Sequence, residues 1–212
     1  MYKHIYGKQG SDHAKTRSAI RTTMRDLVKG VNNIYENTDF HRIKGINFAI
    51  QRTTIYAPET CVVGVGGFSN NPFCAEDMDV YALVHALTKT SNSTTFCLVY
   101  LLMHRDLHDN KWGRAWQAAP SDNDRGICQR NNTGFVTLIN EGEQATLLMS
   151  KLPLAHEFGH SLGSPSTHSR RPPTSRMWRQ NKSLLLLHYV AKDNILKCLI
   201  LEFDWEGNWF SV

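Results

Sequence analysis

The chain has 212 residues, 41% hydrophobic and 20% charged, which suits one sizeable domain with its own apolar core and excludes wholesale disorder or a membrane bundle. Its formal charge of +5 equals the five basic residues Arg170, Arg171, Arg176, Arg179 and Lys182, which share an acid-free stretch from Ser166 to Lys182. The remainder is neutral and lacks the basic face that nucleic-acid binding needs, so no nucleic-acid partner is expected.

The opening MYKHIYGKQG is polar and contains no signal peptide; a secreted product would need another start. From Lys15 to Tyr35, apolar residues at Ile20, Met24, Leu27, Val28, Val31, Ile34 and Tyr35 recur at steps of three and four and predict an amphipathic helix. Gly45 to Ile55 alternates, with Ile46, Phe48 and Ile50 on one side, as a half-buried strand does. Cys61 and Cys74 bracket a Gly- and Asn-rich loop whose ends a disulfide is expected to close.

A second helix is marked by Asp77 or Asp79 as cap and by Val80, Leu83, Val84 and Leu87 on one stripe. FCLVYLLM, residues 96–103, is a continuous apolar run of strand length and should be covered on both faces. Two more strands are expected near 114–119 and at 134–140, joined by a polar loop carrying Cys128. A third helix should open at Ser150 as N-cap, with Pro153 in its first turn, and end at Gly163 in a left-handed conformation. The alternation of helices and strands is α/β in character. The run SLLLLHYVA at 183–191 is too short to cross a bilayer before Lys192 interrupts it.

Chemistry concentrates in HEFGHSLGSPSTH, from His156 to His168. Histidines four apart on a helix lie on one side, so His156 and His160 can share an ion about 2.0–2.1 Å from each. Glu157, one step around the helix, is placed to act as general base on a zinc-bound water without ligating the metal. The cluster His104, Asp106, His108 and Asp109 comes after a strand and reads as a surface loop, and no serine occupies a G-x-S-x-G elbow. Sequons at Asn92, Asn131 and Asn181 would permit glycosylation in a secretory compartment, where five cysteines leave at least one thiol without an internal partner.

The ordered segments VNNIYENTDF, INFAIQR, FCAEDMDV, FCLVYLLMHRDL, WGRAWQAAPSDNDRGIC, NNTGFVTLIN and LAHEFGHSLGSP resemble the reprolysin catalytic domain of the ADAM metalloproteases, a metzincin family. The G-S-P after the histidine helix resembles the kuzbanian-like branch. This resemblance implies a metzincin-like α/β fold with a mixed twisted sheet, packed helices and a zinc-binding helix. It also implies a zinc endopeptidase acting outside the cell or at its surface on protein or peptide substrates, many of them membrane-anchored. Membrane anchoring would come through regions absent from this chain. It implies that His156 and His160 bind Zn2+, that Glu157 is the base, and that Gly113 to Trp116 forms the edge strand to which substrate adds. Arg114 stands where the family usually carries an apolar residue.

The departures begin after Pro165. The family's third zinc histidine falls at Ser166 and its following aspartate at Thr167, while Met177 lacks the context of the family's Met-turn. The resemblance therefore divides the chain into a partial catalytic domain at 1–165 and a non-matching segment at 166–212. That segment would be disordered or come from an altered transcript, leaving the C-terminal subdomain divergent or missing. Alternatively, His168 replaces the missing ligand, or the chain is a pseudoprotease that binds proteins without cutting them. The family partner of Cys97 would precede Met1 and that of Cys128 is unrecognisable, so both are expected to stand unpaired.

Overall fold

Burial along the first long helix follows the stripe read from the sequence. In the computed structural model, which describes residues 2–40, 43–61, 71–75, 79–90, 95–107, 111–119, 124–164 and 196–203, a short helix α1 (Tyr2–Lys8) leads into α2 (His13–Glu36). The Asp12 carboxylate caps α2 by accepting the Lys15 N–H. Ile20, Met24, Leu27, Val28, Val31 and Tyr35 are all buried, and Ile34 is partly so. Strand β1 (Phe48–Ile55) is fastened to α2 by Asn32, whose amide donates to the Phe48 carbonyl at 2.9 Å and accepts its N–H at 2.8 Å. Pairing both backbone groups fixes β1 against the helix at the point where its apolar face enters the core.

A 3-10 turn at Pro58–Cys61 ends in the expected Cys61–Cys74 disulfide. Asp79, the second of the two candidate caps, accepts the N–H groups of Tyr81 and Ala82 at the start of α3 (Val80–Thr90). Strand β2 (Leu98–Met103) is buried at every position, because its two faces serve two cores. Leu98, Tyr100 and Leu102 pack with α2 and with Phe158, while Val99, Leu101 and Met103 pack with Leu83, Val84 and Leu87 of α3.

The remaining elements are β3 (Gly113–Ala115), β4 (Thr133–Thr137), β5 (Ile139–Asn140), β6 (Glu143–Gln144), α4 (Leu147–Ser161) and β7 (Leu196–Phe203). The main sheet has the order β1-β7-β2-β4-β3, parallel except for the antiparallel β4–β3 pair. It is thus a mixed α/β sheet. Residues 196–203 of the C-terminal segment form β7, between β1 and β2.

Three expectations are corrected. The strand expected at 134–140 is two, since the chain turns out of the sheet into a hairpin, with Glu141 and Gly142 both at positive φ, 53° and 76°. Helix α4 opens a turn earlier than Ser150. Thr146 is its N-cap and accepts the Met149 N–H, while both the N–H and hydroxyl of Ser150 donate back to the Thr146 carbonyl at 2.9 Å. Pro153 consequently lies inside the helix rather than in its first turn. Finally, Cys97 and Cys128 are not orphans but are bonded to each other. Parallel pairing of β2 with β4 brings the loop before β4 beside the start of β2, where the Cys128 N–H donates to the Cys97 carbonyl at 2.8 Å.

Candidate metal centre and cleft

The C-terminal half of α4 is held from three directions. Tyr35 of α2 donates its hydroxyl to the Ala155 carbonyl at 2.7 Å, and Tyr100 of β2 donates to the Glu157 carbonyl at 2.7 Å. A carbonyl only accepts, so the Tyr100 proton goes to Glu157 and the Ser161 hydroxyl, 2.7 Å away, donates to Tyr100. Burial pushes the hydroxyl pKa of Tyr100 well above its ordinary value, which keeps it a neutral donor. At the helix end, Gly163 takes φ 98°, its N–H reaches the His160 carbonyl, and the Ser164 N–H reaches that of Gly159. These two bonds form a Schellman cap, placed where the glycine stop was expected.

On this braced segment, His156 Nε2 and His160 Nε2 lie 3.0 Å apart. His160 Nδ1 is 2.7 Å from the Ser164 carbonyl, so this nitrogen carries the proton and Nε2 presents a lone pair. Burial, and secondarily the neighbouring His160, lowers the His156 pKa and favours its neutral form. One ligand atom from each of His156, Glu157 and His160 falls within 4.8 Å of the others. Glu157 is only 5% exposed, and its Oε2 has no hydrogen-bond partner. Burial raises its carboxyl pKa to about 8, partly opposed by Arg114.

Between α4 and the outer strand β3 runs a cleft of about 760 Å³, with Trp112 to Gln117 on one wall and Leu152, Pro153 and the His-Glu-His group on the other. The structure therefore brings together the three residues singled out from the sequence and places the expected edge strand opposite them. Ser166, Thr167, His168 and Met177 lie outside the described residues. Sequence reasoning placed Gly113 on the edge strand but missed its close approach to Glu157. A Cβ there would come 2.9 Å from Glu157 Cγ and 2.5 Å from the Phe135 carbonyl oxygen, so glycine gives the carboxylate its room. Its signal was available: a glycine within a strand often marks close approach. Tyr35 and Tyr100 carried no such signal, being ordinary members of apolar stripes.

Residues 3–183 match the reprolysin-type family described as Metallo-peptidase family M12. The chain belongs to that family. Its relatives include the Disintegrin and metalloproteinase domain-containing protein 10 homolog of Caenorhabditis elegans, 42% identical over 78% of this chain and 20% of the relative. Proteins named Disintegrin and metalloproteinase domain-containing protein 10 from Xenopus laevis and Homo sapiens are each 32% identical, over 76% and 71% of this chain and 22% and 21% of theirs. The chain thus spans about a fifth of the length of these curated relatives, and what it matches is an ADAM-type, kuzbanian-like catalytic domain.

For an M12 metallopeptidase chain the donor set fits a metal ion. Two nitrogens ligating one tetrahedral ion at the usual zinc distance sit about 3.3 Å apart, close to the 3.0 Å seen here. His160 meanwhile spends its other N–H on a backbone carbonyl, the arrangement that orients ligand histidines. Among the described residues, no helix is long and apolar enough to cross a membrane.

Proposed function

We propose that this chain is the catalytic portion of a zinc metalloendopeptidase, with His156 and His160 as zinc ligands and Glu157 as general base. Zinc would supply a Lewis acid for the scissile carbonyl. Glu157, buried and with an unpartnered oxygen turned from the protein's own donors, takes a proton from the attacking water and returns it to the leaving amine. Burial raises its carboxyl pKa in the metal-free chain, and the positive charge of a zinc ion beside it would favour the carboxylate form that a general base needs. The outer edge of β3 holds an extended peptide through main-chain hydrogen bonds, which position the carbonyl without demanding a particular sequence.

The observation that carries this reading is the 3.0 Å facing pair of imidazole nitrogens beside a buried unpaired carboxylate. Within a longer ADAM protein at the cell surface, such a unit would cleave membrane-anchored proteins and release their ectodomains. Residues 1–165 form that unit in our reading, and 166–212 a differing segment. The test is cleavage of an unstructured peptide by the chain with and without added zinc, set against Glu157→Gln. Zinc-dependent cleavage that falls by about 100-fold or more in the variant supports the assignment; cleavage indifferent to both ends it.

A pseudoprotease is the second reading, favoured by Ser166 at the third histidine's position. A neutral hydroxyl is a poor zinc ligand, and two ligands alone hold and polarise the ion less well. Peptide binding without hydrolysis at saturating zinc would select this reading.

A further inference from the structure

Strand β3 is the outer strand of the main sheet, so one row of its backbone groups faces the cleft. Successive residues of a strand face opposite sides. Gly113 faces the Glu157 carboxylate, and Arg114 therefore faces the other side, where its guanidinium lies 3.8 Å over the ring of Tyr81. Tyr81 itself is 54% exposed. Stacking on a ring holds the guanidinium plane in place while its N–H donors point outward along that plane. Among the described residues no carboxylate is ion-paired with Arg114.

On the same wall the guanidinium of Arg125 lies 4.9 Å from the Trp116 ring. Among the described residues lining the cleft, Glu157 is the single acid, and it sits at the reaction centre on the opposite side of the strand from Arg114. A peptide added to the edge of β3 places every second side chain on the Arg114 side. One of these becomes its direct cross-strand neighbour, and opposite charges in such pairs attract whereas like charges repel.

We propose that this cleft prefers peptides carrying Asp or Glu at the residue that lies beside Arg114 when the peptide pairs with β3. This rests on the peptidase reading for where the peptide lies, and it names the substrate class of that site. Arg114 acts here as a specificity-determining residue.

The experiment uses one unstructured peptide remade with Glu, Gln or Lys at each position in turn. Binding is measured by fluorescence anisotropy to the Glu157→Gln chain, which holds the peptide intact, with and without zinc; hydrolysis is measured separately with the unaltered chain. At one position Glu should bind roughly two- to fivefold tighter than Gln, with Lys weakest, as for a partly exposed ion pair. The preference should shrink at high salt, persist in Arg114→Lys and vanish in Arg114→Leu. A merely structural role for Arg114 would shift all peptides alike. Equal binding of Glu, Gln and Lys peptides at every position overturns the proposal, as does a Glu preference that survives unchanged in Arg114→Leu. Charge-dependent binding without any hydrolysis by the unaltered chain would sink the peptidase reading alone, and hydrolysis without charge preference would sink this inference alone.

Discussion

Gly113→Ala tests whether the sheet edge and the carboxylate are fitted to one another. The added methyl carbon would sit 2.5 Å from the Phe135 carbonyl oxygen, 2.9 Å from Glu157 Cγ and 3.2 Å from Glu157 Oε1. The carbonyl belongs to the strand register that pairs Arg114 with Phe135, so it cannot retreat without loosening the β3–β4 ladder. Glu157 can yield by rotating, but only by leaving its place beside the two histidines. Overpacking of this kind costs about 1–3 kcal/mol. For a domain of this size that lowers the melting temperature by roughly 2–12 °C. Displacing a catalytic group by about 1 Å costs about 100-fold in rate, so kcat/KM should fall far more than stability explains. Gly7→Ala in α1, where nothing lies within 4 Å of the new carbon, serves as the control and should be neutral or slightly stabilising. Thermal unfolding and peptide hydrolysis measured side by side decide the matter. If Gly113→Ala melts and cleaves like the parent, the close approach is not a working part of the site.

Other consequences are equally direct. In the metal-free chain, Glu157 titrates near 8 when folded against an ordinary 4.5, so the folded state binds more protons between those values. Stability should fall as pH rises from about 4.5 to about 8, by an amount on the order of a few kcal/mol, and Glu157→Gln should flatten the slope in denaturant titrations. Tyr100→Phe leaves the buried Ser161 hydroxyl without its acceptor and frees the helix at Glu157, which should cost about 1–3 kcal/mol in chemical denaturation. Cys97→Ser should lose about 2–4 kcal/mol, since the bond it breaks closes a loop with a sequence separation of 31; peptide mapping without reductant that finds Cys97 bonded elsewhere would refute that pairing.

What could be read in advance depended on how local the governing physics is. The stripe from Ile20 to Tyr35 and the apolar run at 98–103 identify their elements because burial periodicity is written along the chain itself. The histidine pair was legible for the same reason: a spacing of four on a helix places two rings together whatever surrounds them. Gly163 could be assigned as a stop because few residues other than glycine tolerate its φ of 98°. The start of α4 was misplaced because Thr146 and Ser150 are both good caps four residues apart, and tertiary context made the choice between them. The Cys97–Cys128 bond was invisible because it arises from strand pairing between distant segments. The insertion of β7 between β1 and β2 is non-local in the same way, since eight apolar-rich residues do not announce which strands they join.

The bracing of α4 separates two questions that the motif alone leaves entangled. Tyr35, Tyr100 and the Gly163–Ser164 cap hold His156 and His160 through hydrogen bonds that use no described residue after Ser164, although Tyr100 stands on β2, which pairs with β7. The ligand pair should therefore be formed whatever side chain stands at position 166, and a substitution there should act on metal affinity rather than on the helix. Ser166→His restores a histidine three residues after Gly163. If the third position is the limiting defect, zinc should bind at least roughly tenfold more tightly and peptide cleavage should rise, because catalytic zinc sites use three protein ligands. The melting temperature of the metal-free chain should stay within about 2 °C, because the added imidazole has no metal to bind there. Competition against a chelating dye reads the affinity, and calorimetry of the metal-free chain reads the stability. Unchanged zinc affinity would mean that another donor, His168 being the candidate at hand, already completes the site, and His168→Ala should then lose the metal. A large shift in metal-free melting would contradict the premise that the histidine helix is set independently of the side chain at position 166.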